Sequence, residues 1–375
     1  MSGTAAAGEV QEGLDAVAIS VRAGLLSLAR TLPPWLFYDA AGSLLFEKIT
    51  ELPEYYITRT ERALLAAHAE EILGAIAAPV TIVELGAGTA TKTGIVLRAA
   101  AARQGSVSYQ PIDVSASSLE EARSNIEASI AGATVRPSVA NYVNDPIRVE
   151  RLRGHSVLAM YIGSSIGNFS PDEAHAILAR LRAQMRRGDH LLLGTDMAPG
   201  RGKSIADLIA AYDDAAGMTA AFNRNVLVRL NRELGTDFQP ERFEHRAHWN
   251  AEESRIEMHL YALAAQEVAV PGNSAGGAFS LSFERGETIH TENSYKFTTE
   301  SLQGMLAAAG FSIARTFEDE NAKFALMLAC VAGGGNREIS FTLIGRIRRA
   351  WRAGRFPGTG YADCAFNLKY PKSCT

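Results

Sequence analysis

Between Thr81 and Thr93 the chain reads TIVELGAGTATKT. Three small residues there, Gly86, Ala87 and Gly88, separate an apolar run from a helical stretch. Glycines at that spacing let the backbone turn tightly and leave no side chain over the turn. A nucleoside-sized group can then sit against the N–H groups that open the next helix. Asp113 follows twenty-five residues after Gly88, at the end of VSYQPID. A carboxylate at that point of a doubly wound sheet can accept both hydroxyls of a ribose. The dinucleotide fingerprint G-x-G-x-x-G fails, because Thr91 stands where the third glycine is needed. Glu84, two residues ahead of Gly86, suits a ligand carrying a cation and hydroxyls rather than a pyrophosphate. A plain strand–turn–helix is the alternative for the loop, and a surface aspartate opening a helix is the alternative for Asp113. Ser115 or Ser117 can cap that helix unaided, which leaves Asp113 for a ligand.

The elements that must hold these residues alternate regularly. Strands are expected at Thr81–Leu85, Val107–Val114, Val135–Ala140, Ser156–Ile162 and His190–Thr195. Helices are expected from Thr89 to Ala102, after Ser115, and from Pro171 to Arg187 with Ser170 as cap. Asn141 and Tyr142 end the third strand, where such a sheet meets a purine ring. GSSIGNFS, from Gly163 to Ser170, makes a polar, small-residue loop at the same sheet edge. Ahead of this block, residues 1–13 read as disordered, Leu14–Leu28 as helical and LPPWLFYD (Leu32–Asp39) as an extended loop. Ser43–Glu51 is a short helix, and Thr60 is placed to cap a helix from Glu61 to Ala77. Tyr55 and Tyr56 fall in the loop between them, as a pocket wall or as ordinary packing.

After Pro199 the alternation gives way to helices at Ser204–Ala215 and Thr219–Leu234. Strand-like runs follow at Phe243–Trp249, Arg255–Leu263 and Phe279–Phe283, with a flexible hairpin loop at Pro271–Gly277. ETIHTENSYKF (Glu287–Phe297) leads back to a helix at Thr299–Ala309 and an antiparallel pair, Phe311–Glu318 and Phe324–Val331. The expected organisation is a segment 1–59 that joins a substrate domain, an α/β domain over 60–199, an inserted α+β domain over 200–297, and the end of the sheet over 298–332. Residues 333–375 form a basic extension, expected to be a solvated appendage or a basic amphipathic helix. Eight of its residues are Arg or Lys, against Glu338 and Asp363.

Composition narrows the function classes. An apolar fraction of 47% and a charged fraction of 21% are those of a soluble globular protein. A net charge of -4 gives no reason to expect nucleic acid. Three cysteines, Cys330, Cys364 and Cys374, are too few and too late for a disulfide framework or a zinc ribbon, and no metal site is expected. No membrane span and no signal peptide are expected, so the reading is a cytoplasmic monomer acting on a small molecule.

The glycine run with its preceding glutamate resembles the first motif of class I S-adenosylmethionine-dependent methyltransferases. Five separated motifs together, LPEYYITRTE, ELGAGTATKT, YIGSSIGNF, AYDDAAGMTAAFNRN and ENSYKF, resemble the histidine-specific Nα-methyltransferases of ergothioneine biosynthesis. The resemblance runs from about Leu32 to Val331. It implies a class I methyltransferase fold, a Rossmann-like doubly wound sheet, with an inserted α+β substrate-binding domain. It implies trimethylation of L-histidine to its betaine, hercynine, with S-adenosyl-L-methionine as cofactor. By that resemblance Gly86, Lys92, Asp113, Asn141 and Tyr142 bind the cofactor. Tyr56, Asn168 and Tyr212 hold the amino-acid end, Glu292, Asn293 and Ser294 meet the imidazole, and Met258 lines the pocket. No residue is assigned as catalytic acid, base or nucleophile. Tyr212 as a core residue, Asn168 as a turn residue and Glu292 as a surface carboxylate are the competing readings. Another aromatic amino acid, such as tryptophan, is the alternative substrate; a nicotinamide-dependent oxidoreductase is disfavoured by Thr91, and a non-enzymatic regulatory subunit by the intact substrate motifs.

Overall fold

The computed structural model describes residues 3–77, 79–143, 145–273 and 276–332, with side chains from Leu14 onward. The basic extension after residue 332 lies outside the described residues. Helix α1 (Gly3–Leu25) begins well before the expected Leu14. Ala5, Ala6 and Ala7 are the strongest helix formers and carry it back toward the N-terminus. It stops short of Leu28 because the chain folds over at Gly24, whose carbonyl accepts the Thr31 N–H. A short 3-10 turn, Pro34–Phe37, interrupts the expected extended loop. Helix α2 (Ala40–Glu51) starts earlier than Ser43 because Asp39 caps it, accepting the Gly42 N–H at 2.7 Å.

Helix α3 (Tyr56–Gly74) corrects the expected start at Glu61. Thr60 is therefore interior and not a cap, and Tyr56 opens the helix instead of lying in a loop. Its buried positions, Ile57, Glu61, Leu64, Leu65 and Ile72, follow the helical period.

Strand β1 (Val80–Leu85) is buried throughout. Helix α4 (Thr93–Gln104) starts four residues after the expected Thr89, because Gly86, Gly88 and Ala90 take φ of 68°, 51° and 55°. The turn thus extends to Lys92. Then come β2 (Val107–Asp113) and α5 (Ala116–Ser129), whose cap is Ser115. The single strand expected over 135–140 is two short ones, β3 (Ala133–Val135) and β4 (Ser138–Val139). Pro137, between them, has no N–H for a ladder. The series continues through β5 (Ser156–Tyr161), α6 (Pro171–Ala183) and β6 (His190–Asp196). Ser170 and Glu173 form a capping box on α6.

Next are α7 (Ile205–Tyr212), α8 (Met218–Leu234), β7 (Phe243–Asn250), β8 (Arg255–Ala262), β9 (Gln266–Val270), β10 (Phe279–Phe283) and β11 (Thr288–Tyr295). Strands β9 and β11 were not expected. Helix α9 (Thr299–Ala308) and the antiparallel strands β12 (Phe311–Glu318) and β13 (Phe324–Val331) end the described chain.

The chain divides into two units. One comprises Ile57–Lys203, Ala251–Ser254 and the chain from Tyr295 onward. Its sheet, among the described residues, has the order β12-β13-β6-β5-β1-β2-β3, with β4 also on β2. Strands β1 to β6 pair in parallel, and β13 joins β6 antiparallel. Strand β1 lies between β2 and β5, so the strand order reverses beside it, and ligands bind at the carboxyl ends of strands at such a switch. Val83, Leu85, Val157, Tyr161, Ile177, Leu193, Leu302 and Met327 fill the core.

At the end of β6, fully buried Asp196 meets two buried ammoniums, Lys203 on one oxygen and Lys296 on the other. Burial, reinforced by the charge of Lys296, lowers Lys203 to about 8. Burial works to raise the Asp196 carboxyl, but the two lysines outweigh it and hold it below the usual range.

The other unit comprises residues up to Tyr56, Ser204–Asn250 and Arg255–Ser294. It carries an antiparallel sheet in the order β11-β8-β7 and the β9–β10 hairpin. Alternate β8 residues, Ile256, Met258, Leu260 and Ala262, are buried, and α7 and α8 pack on this sheet. An aromatic cluster joins Phe37, Tyr38, Phe46 and Phe222; Phe37 stacks on Phe222 at 4.6 Å.

Candidate active site

The larger sheet places one group of the candidate residues at the ends of β1, β2 and β5. Gly86 must be glycine: its φ is positive, and a Cβ there would stand 3.1 Å from the Tyr142 hydroxyl. In front of Gly88 a Cβ would meet nothing within 4 Å, so the turn faces open space. Asp113 lies beside this turn. One carboxylate oxygen accepts the Gly88 N–H at 3.0 Å and the other the Ser115 N–H at 3.0 Å. A carboxylate has about four acceptor positions, so roughly two remain for a ligand's hydroxyls. Ser115 also caps α5 through the Ser118 N–H, as the sequence suggested.

Asn141 and Tyr142 follow β4 in a turn that Asp145 closes: its N–H donates to the Asn141 carbonyl at 2.7 Å, and its carboxylate accepts the Asn141 N–H at 2.8 Å. The Asn141 side chain accepts the Val143 N–H, and Arg180 donates to the carbonyls of Tyr142 and Val143. Tyr142 sets its ring edge-on to Tyr161 at 5.8 Å, and burial pushes its hydroxyl up to about 12. A cavity of about 290 Å³ opens here, walled by Ile112, Ala140, Tyr142, Asp145 and Ile147.

Glu84 does not meet the expectation of a ligand contact. It is buried inside β1, and Thr93 Oγ1 reaches its two oxygens at 2.8 and 2.7 Å while the Tyr109 hydroxyl donates to it as well. Burial raises its carboxyl to about 7. Its part is to fasten the start of α4 to β1 and β2. Lys92, just before α4, pairs with Glu61, and Asn168 ends a 3-10 turn, Ser165–Asn168, that follows β5.

The smaller unit carries the other residues. Tyr212, the last residue of α7, shares a hydrogen bond of 2.8 Å with Ser294 Oγ on β11. Two motif residues far apart in sequence are thereby brought together. His245 on β7 fixes Tyr212 from behind: its Nε2–H donates to the Tyr212 carbonyl at 2.8 Å, and its Nδ1 accepts from Asn223 at 2.8 Å. That pattern requires the neutral ring, and burial accordingly lowers its pKa. His245 lies outside every motif, and Asn223 lies within AYDDAAGMTAAFNRN but was given no role there.

Tyr55 packs edge-on against Tyr212 at 6.2 Å, while Tyr56 beside it is buried. Glu292 and Asn293 are half-buried on β11, and the Glu292 carbonyl accepts from His290. Met258 lies on the buried face of β8, between the half-exposed Glu257 and His259. Those two and His290 hold ligand-type atoms within 4.8 Å of one another. Arg255, however, already pairs with Glu257 at 2.6 Å, and the rings of His259 and His290 stack at 4.6 Å. Burial, then the neighbouring His290, lowers His259 to about 4.

Residues 17–331 match the family model described as histidine-specific methyltransferase, SAM-dependent. The chain belongs to that family. Similar members include the histidine N-alpha-methyltransferase of Mycolicibacterium smegmatis, 41% identical over 84% of this chain and 95% of the relative. The histidine N-alpha-methyltransferase of Mycobacterium tuberculosis is 42% identical over 82% of this chain and 93% of its own length. Ergothioneine biosynthesis protein 1 of Schizosaccharomyces pombe is 25% identical over 78% of this chain and 38% of its own. As a SAM-dependent methyltransferase the chain uses S-adenosylmethionine, and the open turn at Gly88, the lone pairs of Asp113 and the ammonium of Lys92 fit that cofactor. No described helix is long and apolar enough to cross a membrane.

Proposed function

We propose that this methyltransferase trimethylates the α-amino nitrogen of L-histidine to hercynine, a step of ergothioneine biosynthesis. The observation that carries the substrate assignment is the Tyr212–Ser294 hydrogen bond. It joins the residue read as holding the amino-acid end to the strand that bears Glu292, Asn293 and Ser294.

In this reading Asp113 takes the ribose hydroxyls, Gly86 and Gly88 admit the cofactor to the backbone, and Asn141 and Tyr142 flank the adenine. The cofactor supplies a sulfonium methyl, open to in-line displacement by an amine. Positioning of that amine is then the main source of acceleration. Tyr56, Asn168 and Tyr212 orient the amine and carboxylate through hydroxyl and amide groups. A fixed anion beside the nitrogen would hold the quaternary product too tightly, and these three residues bring none. Glu292 and Ser294 recognise the two ring nitrogens, with Met258 in the pocket lining. The enzyme acts as a monomer in the cytoplasm on this reading.

The test is mass spectrometry of an amino-acid panel incubated with the full chain and S-adenosylmethionine. Histidine should gain one, two and three methyl groups in succession. Trimethylation of tryptophan or phenylalanine, with histidine unchanged, would overturn the substrate assignment.

A further inference from the structure

Glu61, the last residue of the LPEYYITRTE motif, is fully buried on α3, and the resemblance assigns it no role. One of its oxygens accepts the Gly163 N–H at 2.7 Å, at the turn after β5, and the other pairs with the Lys92 ammonium beside α4. The β6 residue next to it, Gly194, leaves it room: a Cβ there would fall 2.1 Å from Glu61 Oε1. Gly163 in turn has no side chain where the ammonium lies, since its Cβ would stand 3.3 Å from Lys92 Nζ. A single carboxylate thus ties together α3, the turn after β5 and the glycine loop after β1.

Stability alone is a poor reason for this arrangement, because a buried ion pair is seldom worth more than an apolar pair of the same shape. The burial is also one-sided. The Glu61 side chain is 0% exposed and that of Lys92 is 22% exposed. An ammonium has three donors, and Glu61 occupies one. The others remain for an anion at the edge of the cofactor seat, and S-adenosylmethionine carries one, the carboxylate of its methionyl end.

We infer that Glu61 is a positioning residue for the cofactor, fixing the Lys92 ammonium and the Gly163 turn so that Lys92 receives that carboxylate. This rests on the reading of Lys92 as a cofactor residue. Calorimetry on the full chain separates the two. The ligands are S-adenosylhomocysteine, which has the methionyl carboxylate, and 5′-methylthioadenosine, which lacks it. Glu61→Gln keeps an acceptor for the Gly163 N–H and removes the charge that holds Lys92. It should weaken S-adenosylhomocysteine about tenfold or more, the scale of one charge-assisted hydrogen bond, and leave methylthioadenosine within about twofold. Lys92→Met should do the same, and adding it to Glu61→Gln should cost little more, because the pair acts as a unit. Equal losses on both ligands would make Glu61 merely structural and overturn the inference. So would a Lys92→Met effect with no Glu61→Gln effect. No loss of S-adenosylhomocysteine in Lys92→Met would instead overturn the reading of Lys92, and the inference with it. Should Glu61→Gln not fold, Glu61→Asp, charged but one methylene shorter, takes its place under the same outcomes.

Discussion

Replacing Asp113 by alanine removes two kinds of interaction at once, and the structure lets them be separated. In the free protein its oxygens accept the N–H groups of Gly88 and Ser115, each at 3.0 Å. Both belong to the half-exposed turn region, so water can replace the acceptor, and each lost bond should cost about 1 kcal/mol of stability. At roughly 2–4 °C per kcal/mol for a domain of 150–250 residues, the free enzyme should melt about 4–8 °C lower. The bound state loses more. A charge-assisted hydrogen bond to a ribose hydroxyl is worth about 1.5–3 kcal/mol, which raises Kd roughly 10- to 150-fold. Asp113→Asn should fall near the alanine variant, because its amide NH2 would face one of the two backbone N–H donors. Titration calorimetry with S-adenosylhomocysteine, alongside a thermal melt of the free enzyme, gives both quantities. A Kd within threefold of the parent, with the melting temperature lowered as expected, would refute the ribose assignment and leave Asp113 as a brace for the glycine turn.

Glu292→Ala should raise the barrier behind kcat/KM for histidine by about 1–3 kcal/mol, and far more than for tryptophan, whose indole loses the same acceptor but whose larger apolar ring gains from the vacated space; steady-state kinetics with equal losses on both would count against the ring assignment. Tyr212→Phe removes one side of the buried Tyr212–Ser294 hydrogen bond and should destabilise the fold by roughly 0.5–1.5 kcal/mol, and Ser294→Ala added to it should cost less than Ser294→Ala alone, since the two hydroxyls share one bond. Urea denaturation of the single and double variants checks this, and strict additivity would contradict it. Stability should fall as pH drops from about 6.5 toward 4. His190, His245, His259 and His290 all have lowered pKa values in the fold, so the unfolded chain binds the extra protons. Glu84, raised to about 7, acts in the opposite sense, its contribution being lost as pH rises from about 4.5 through 7. Four histidines against one glutamate set the sign, and denaturation midpoints that rise between pH 6.5 and 5 would contradict it.

What could be read in the sequence tracks how locally each feature is determined. The strands around the glycine turn, β1, β2, β5 and β6, are apolar runs between turn residues, and their positions were legible to within a residue or so. The pair β12 and β13 was equally plain. The start of α3 was not, because Thr60 is a good cap only if the helix has not already begun. Tyr56 and Ile57 begin it by burying their side chains in a core that local spacing does not reveal. Strand β11 was obscured by its polar residues, Thr288, His290, Thr291, Glu292 and Asn293. They read as a connecting segment until β8 is there to pair with them. In the site the motifs marked residues with their own signatures, such as Gly86 and Asp113. Residues that act through others were less plain: Glu61 closes a motif but was given no role, and His245 lies outside every motif. Glu61 did carry a faint signal: a glutamate at a stripe position of an otherwise apolar helix face.

The triad at Asp196 bears on how the inserted segment is attached to the large sheet. Lys203 and Lys296 stand at the two ends of the excursion that leaves the large sheet after β6 and returns before α9. The departing and returning chains also pair with each other, Ala198 N–H to Phe297 carbonyl at 2.7 Å and Phe297 N–H to Asp196 carbonyl at 3.2 Å. Exit and return are thus fastened to one another independently of what the excursion contains. Lengthening a loop whose ends are already held together costs only about 0.6 kcal/mol per doubling. Such a junction is an exchange point. A segment of different length or sequence could be joined between Lys203 and Lys296 while the sheet keeps its closure.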